Sequence, residues 1–126
     1  MIVTVTLNPV LDRTLTVERI IFDQMTYATS SRLDWSGKGI NVSRALYALG
    51  GDSVALGFVG GVTGRALERN LSDEGIATDF VHIAGETRTN VVIISADAER
   101  YVKVNEVGPT VQADEITAFR DRVHER

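Results

Sequence analysis

The chain has 126 residues, 44% of them apolar and 24% charged, with a formal net charge of −4, which suits one globular domain with a modest core. Its positive and negative charges are scattered and form no basic stripe, which argues against nucleic acid as a partner. The lack of cysteine excludes a disulfide framework and a thiolate metal site and fits a reducing compartment.

Residues 2–7 alternate apolar side chains with threonine and predict a strand. It ends at Asn8-Pro9, because proline has no N–H for the ladder. Further strands are expected over residues 15–22 and 27–35, the latter with Tyr27, Leu33 and Trp35 on one face and Ala28, Arg32 and Asp34 on the other. Ser36-Gly37-Lys38-Gly39 breaks the pattern. Beyond it, Val42, Ala45, Leu46 and Leu49 fall at helical spacing, and Gly50-Gly51 supplies a stop. Residues 53–59 form a short apolar strand pattern, and Gly60-Gly61 opens a second helix with Leu67 and Leu71 on one face and Gly75 as its stop.

Three more strands are expected over residues 79–84, 90–96 and 100–105. The continuous apolar run 91–94 predicts a strand covered on both faces. Val102 and Val104 alternate with Lys103 and Asn105, which predicts one wet face. From Ala113 onward, Ile116, Phe119 and Val123 form an apolar stripe opposite Glu115, Arg122 and Glu125. The longest apolar runs are strand-sized, too short to cross a bilayer, and residues 1–7 carry neither a basic n-region nor a cleavage site. A cytoplasmic protein with no membrane partner is therefore expected.

The alternation of strand and helix predicts an α/β fold built on a parallel sheet. Residues 15–35 and 90–105 do not fit that rhythm and suggest a separate small sheet. The last helix has no following strand, so residues 1–126 are expected to be one part of a longer domain.

Glycines around Lys38 at the start of a helix let a ligand approach backbone N–H groups and the positive end of the helix dipole. Asn41 can donate and accept toward a hydroxyl. The spacing is not that of a Walker loop, and an ordinary strand-to-helix turn explains it equally well. Asp12, just beyond the first strand, lies where ligands gather in open α/β sheets, though a surface turn aspartate reads the same way. Arg88, in Thr87-Arg88-Thr89-Asn90, has the planar fork that suits phosphate, or is simply solvated. His82 and His124 stand too far apart in the sequence to suggest a shared metal, so no metal site is expected. Trp35 and Tyr27 are expected to pack rather than bind. Glu106 reads as a turn residue or as a helper near the site.

Taken in order, Thr6-Leu7-Asn8-Pro9-Val10-Leu11-Asp12, Ser36-Gly37-Lys38-Gly39-Ile40-Asn41-Val42-Ser43, Gly57-Phe58-Val59-Gly60-Gly61, Glu86-Thr87-Arg88-Thr89-Asn90 and Asn105-Glu106-Val107-Gly108-Pro109 resemble the PfkB family of carbohydrate kinases, and within it the phosphosugar branch. The resemblance covers nearly the whole chain and implies a ribokinase-like fold, with a small β-sheet lid over the sugar and lid strands within 15–35 and 90–105. It implies that Asp12, Gly37, Lys38, Gly39, Asn41 and Arg88 contact a sugar phosphate. Asp12 and Asn41 would hold hydroxyls, while Lys38 and Arg88 would sit near the phosphate already on the substrate.

The implied reaction converts fructose 1-phosphate, or tagatose 6-phosphate, to the 1,6-bisphosphate, with ATP and Mg2+ serving the full-length parent. The family's catalytic aspartate would lie beyond residue 126, so the chain alone is expected to be inactive and to bind no cofactor. Pairing of lid strands between subunits implies a homodimer. The competing expectation is a non-catalytic module that binds sugar phosphate or only dimerises.

Overall fold

In the computed structural model, which describes residues 1–126, the elements in chain order are β1 (Ile2–Thr6), β2 (Val10–Val17), β3 (Ser30–Ser36), α1 (Lys38–Ala48), β4 (Ser53–Gly60), α2 (Gly61–Asp73), β5 (Ala77–Thr78), β6 (Val81–Ile83), β7 (Arg88–Ser95), β8 (Arg100–Asn105) and α3 (Ala113–Glu125). They build two sheets. In the first, β1 and β5 flank β4, β6 pairs with the far half of β4, and every pairing is parallel. Strand β4 is apolar along its length because helices cover both of its faces. On one side α1 and α2 close a core of Ile40, Ala55, Val59, Leu67, Leu71, Ile76 and Phe80, with Trp35 packed against it. Leu67 and Leu71 are wholly buried, which stabilises the fold by about 1.5–3 kcal/mol each relative to exposure.

On the other side Ala118 and Phe119 of α3, with Val111 just before it, pack against Phe58, Val81 and Ile83. The rings of Phe58 and Phe119 lie 5.0 Å apart between centroids. Gly50 (φ 80) and Gly75 (φ 86) follow the ends of α1 and α2 in the left-handed conformation, as their positions in the sequence suggested.

The second sheet has the order β3-β2-β7-β8, with β2 and β7 parallel and both outer pairs antiparallel. The chain enters it at Pro9, leaves it at Gly37, and re-enters it at Arg88. One face carries the row Asp34, Asp12, Asn90 and Asn105 and, beside it, Arg32, Thr14, Val92 and Lys103. The opposite face carries Leu33, Val91 and Val104 around Arg13, followed by Leu15, Ile93 and Val102. A parallel sheet with flanking helices plus a separate small sheet is the architecture expected from the sequence.

Several local expectations change. The strand expected over residues 15–22 is β2, which starts at Val10: proline ends the ladder of the first sheet and the chain begins the second immediately after it. The third strand starts at Ser30, so Tyr27 lies outside it and is 77% exposed instead of packing beside Trp35. Within the segment 79–84 only Val81–Ile83 forms a strand, β6; the short β5 precedes it, and Asp79 N donates to Ala55 O between the two.

On α1 the buried residues are Ile40 and Ser43, while Val42 and Leu49 face out. Ser43 Oγ instead bonds Thr4 Oγ1 at 2.7 Å and Ser53 Oγ at 2.9 Å, so hydroxyls hold this helix to β1 and β4. Residues 91–94 are only half-buried, and Val102 and Val104 are 45% and 60% exposed, so the second sheet has no dry face within one chain.

On α3, Ile116 and Val123 are exposed. The inward face consists of Ala118 and Phe119 flanked by Glu115 and Arg122, both placed on the outer face by periodicity. Glu115 accepts from Ala84 N at 2.8 Å, and Arg122 donates to the Asp79 carboxylate at 2.6 Å and to Phe80 O at 3.2 Å. The two polar side chains therefore anchor the helix from inside its contact face.

Candidate functional site

Strand β1 ends at Thr6, at the carboxyl edge of the parallel sheet, where open α/β sheets bind ligands. Thr6 Oγ1 accepts from Ile40 N at 3.0 Å and seats the first turn of α1 against β1. That seating requires glycine: a Cβ at Gly39 would overlap the Val5 carbonyl, and one at Gly37 would overlap the Thr6 methyl. The start of α1 consequently approaches the strand end with no side-chain cap from Gly37.

The second sheet stands beside this point, and between them lies a cleft of about 520 Å³ lined by residues of β1, β2, β7, β8 and the start of α1. Asp12, Gly37, Lys38, Gly39, Asn41 and Arg88 all line it. Residues separated by up to 76 positions in the sequence thus meet at one surface.

The charges are unequal. Lys38, Arg88 and Lys103 face the cleft against Asp12, an excess of two positive charges in a chain of net charge −4. Lys38 and Lys103 are the only lysines in the sequence, and both stand here. Arg88 has no carboxylate partner. Its Nη2 donates to Asn8 O at 3.1 Å and its Nη1 points to Glu106 O at 3.5 Å, while its buried Nε–H has no partner. Two backbone carbonyls therefore aim the fork without neutralising its charge.

Glu106 builds the wall behind Arg88. Its carboxylate accepts from Thr89 N at 2.6 Å, and its own N–H donates to Asn90 Oδ1 at 3.2 Å. With its oxygen engaged, Asn90 keeps its amide donors for the cleft. Asn8 Nδ2 donates to Val107 O at 3.0 Å and ties down the same turn. A small polar anion bearing hydroxyls matches this lining: cations for the charge, and amides and a carboxylate for the hydroxyls.

Sequence reading did not assign Thr6, Asn8, Asn90, Lys103 or Asn105 to the site. The signal for Lys103 and Asn105 was present, since their alternation with two valines marks one polar face. Which way that face turns depends on the register of β7 with β8 and β2, which one strand does not encode. His82 on β6 pairs with Glu68 on α2 at 3.1 Å, and neither lines the cleft. No group of three or more His, Cys, Asp or Glu could hold a metal ion, and no helix is long and apolar enough to cross a membrane.

The pattern of the pfkB family carbohydrate kinases matches residues 5–124. The chain is 35% identical over 123 residues to a 1-phosphofructokinase of Borreliella burgdorferi, covering 98% of this chain and 39% of that protein. It is 32% identical over 123 residues to a tagatose-6-phosphate kinase of Staphylococcus epidermidis, again covering 98% and 39%. Phosphofructokinase-2 of Escherichia coli in complex with fructose-6-phosphate superposes with a TM-score of 0.87 at 30% identity, over 99% of this chain and 41% of that one; a tetrameric inhibited form of that enzyme has also been solved. The chain therefore spans about two fifths of the length of the relatives it matches.

Proposed function

The chain belongs to the pfkB family of carbohydrate kinases, and on that premise we propose that its cleft is the sugar-phosphate site of a longer, ATP-dependent phosphosugar kinase. The substrate is fructose 1-phosphate or tagatose 6-phosphate and the product the corresponding 1,6-bisphosphate. In this reaction a free hydroxyl of the sugar attacks the γ-phosphorus of ATP, the bond to the bridging oxygen breaks, and ADP and a proton leave. The observation that carries the reading is the convergence of Asp12, Gly37, Lys38, Gly39, Asn41 and Arg88 on one cleft with a local excess of positive charge.

Each residue's task follows from its chemistry. Asp12 accepts hydrogen bonds from sugar hydroxyls, and Asn41 holds a further hydroxyl. Lys38 and Arg88 neutralise the phosphate already on the substrate, Arg88 through its fork. Gly37 and Gly39 let the sugar approach the end of α1. The second sheet acts as the lid over the sugar. ATP and Mg2+ supply the transferred phosphoryl group and its charge neutralisation in the longer protein, and no residue of this chain is assigned to either.

A cytoplasmic location accords with the cysteine-free sequence and with an ATP-dependent reaction. The partner of the lid is a second copy of the chain. Support comes from its outer face, where Leu15, Leu33, Val91, Ile93, Val102 and Val104 form a half-exposed apolar surface around Arg13.

The direct test is an NMR titration of the chain with fructose 1-phosphate, tagatose 6-phosphate and fructose. Resonances of Asp12, Lys38, Asn41 and Arg88 are expected to shift with the phosphosugars at lower concentration than with fructose. Shifts confined to other surfaces would overturn the site. Binding without phosphoryl transfer in the longer protein would identify a non-catalytic module instead.

A further inference from the structure

Arg44 lies on α1, outside the cleft, three residues beyond Asn41, yet a short chain of hydrogen bonds ties it to the cleft. Its Nη1 donates to Asn41 Oδ1 at 3.2 Å. Its Nε and Nη2 donate to the two carboxylate oxygens of Glu74 at 2.8 Å and 3.1 Å, the bidentate geometry that fixes a guanidinium plane.

A guanidinium has only donors. The Asn41 atom that faces it must therefore be the oxygen, whichever way the amide is drawn. The Asn41 amide nitrogen is left pointing away from Arg44, and Asn41 itself lines the cleft.

Glu74 gives a second, independent indication. It is the C-cap of α2, and no basic residue stands in that helix's last turn. A negative charge at this end opposes the helix dipole, so the placement carries a local cost that the fork with Arg44 offsets. Both side chains are partly shielded, Arg44 at 30% and Glu74 at 42% exposure. A local rule is broken at the position that holds a cleft residue's neighbour, and such departures concentrate at functional sites.

We infer that Arg44, braced by Glu74, is a positioning residue that fixes Asn41 as a hydrogen-bond donor toward the sugar. The inference rests on the proposed role of Asn41 in holding a ligand hydroxyl. It adds that the hydroxyl oxygen accepts from Asn41, and that the direction of this bond is set one turn away. Free rotation of the amide would present the oxygen and the nitrogen to the ligand alternately and would weaken the contact.

The test is a double-mutant cycle on the full chain, with fructose 1-phosphate affinity read by NMR titration. Asn41→Ala and Arg44→Ala are each expected to weaken binding about three- to tenfold. The double variant is expected to bind no more weakly than Asn41→Ala alone, because Arg44 acts through Asn41. If the two losses multiply, Arg44 acts independently and the inference is overturned while the site stands. If Asn41→Ala leaves affinity unchanged, the assignment of Asn41 to the ligand fails, and the inference fails with it.

Arg44→Lys is expected to stay weakened, since an ammonium cannot span Glu74 and Asn41 as the fork does; full recovery would reduce the role to bare charge and overturn the inference. Should Arg44→Ala fail to fold, Glu74→Gln in the same cycle carries the test, with non-additivity expected and additivity overturning it.

Discussion

Glu86 and Arg88 stand two residues apart and perform opposite electrostatic tasks. The Glu86 carboxylate accepts from Thr63 N at 2.8 Å and fills the N-terminus of α2; it fits because Gly61 (φ 68) has no Cβ to obstruct it. The N-terminus of α2 is thereby closed by the chain's own anion, whereas that of α1 has no side-chain cap and borders the cleft.

Hydrogen bonds from the backbone and side chain of Thr63, with help from Val62 N–H and the charge of Arg65, hold the Glu86 carboxyl below its ordinary value of 4.5 against an opposing desolvation effect. A carboxyl whose pKa is lower folded than unfolded stabilises the fold above about the unfolded value, and that contribution is lost as pH falls through the folded value. Glu86→Gln is expected to lower Tm by about 2–3 °C at pH 7, with the difference from wild type shrinking below pH 4.5. Thermal melts at pH 7 and pH 3 check this; a difference that grows on acidification contradicts the capping role.

At the scale of elements, the second sheet has more apolar surface than one chain covers. Register places Leu33, Val91, Val104, Leu15, Ile93 and Val102 on the face away from the cleft, and β3 and β8 leave free edges that invite pairing. Light scattering at micromolar concentration is expected to give a dimer mass for the wild type and a monomer for Val104→Lys. A wild-type monomer across that range contradicts assembly through this sheet.

The same sheet shows where sequence periodicity works and where it stops. β8 and the helix boundaries were legible, because alternation, Gly50 and Gly75 are local signals. The inward faces of α1 and α3 were not. Apolar spacing favoured Val42 and Leu49, and Ile116 and Val123, but Ser43 pairs with hydroxyls of β1 and β4, and Glu115 and Arg122 find backbone and carboxylate partners on the sheet. A polar side chain faces inward when its partner is fixed by tertiary structure, and no single helix carries that information. The loop glycines and Arg88 were legible as a set because their order along the chain resembles a known family; Lys103, Asn90 and Arg44 required the register and the helix packing.

At the scale of the whole molecule, a chain of net charge −4 concentrates positive charge in one cleft, and the proposed ligand is a sugar that already carries phosphate. Arg88, aimed by Asn8 O and Glu106 O and left without a carboxylate, is the side chain best placed to bind that phosphate. If it binds the phosphate, it does so through charge-assisted hydrogen bonds of roughly 1.5–3 kcal/mol each. Calorimetric titration of wild type and Arg88→Ala with fructose 1-phosphate and with fructose is the most direct measurement. The expected result is a loss of about ten- to a hundredfold in affinity for the phosphosugar and almost none for fructose; equal weakening of both would make Arg88 a structural residue and contradict the assignment of the cleft to a phosphosugar.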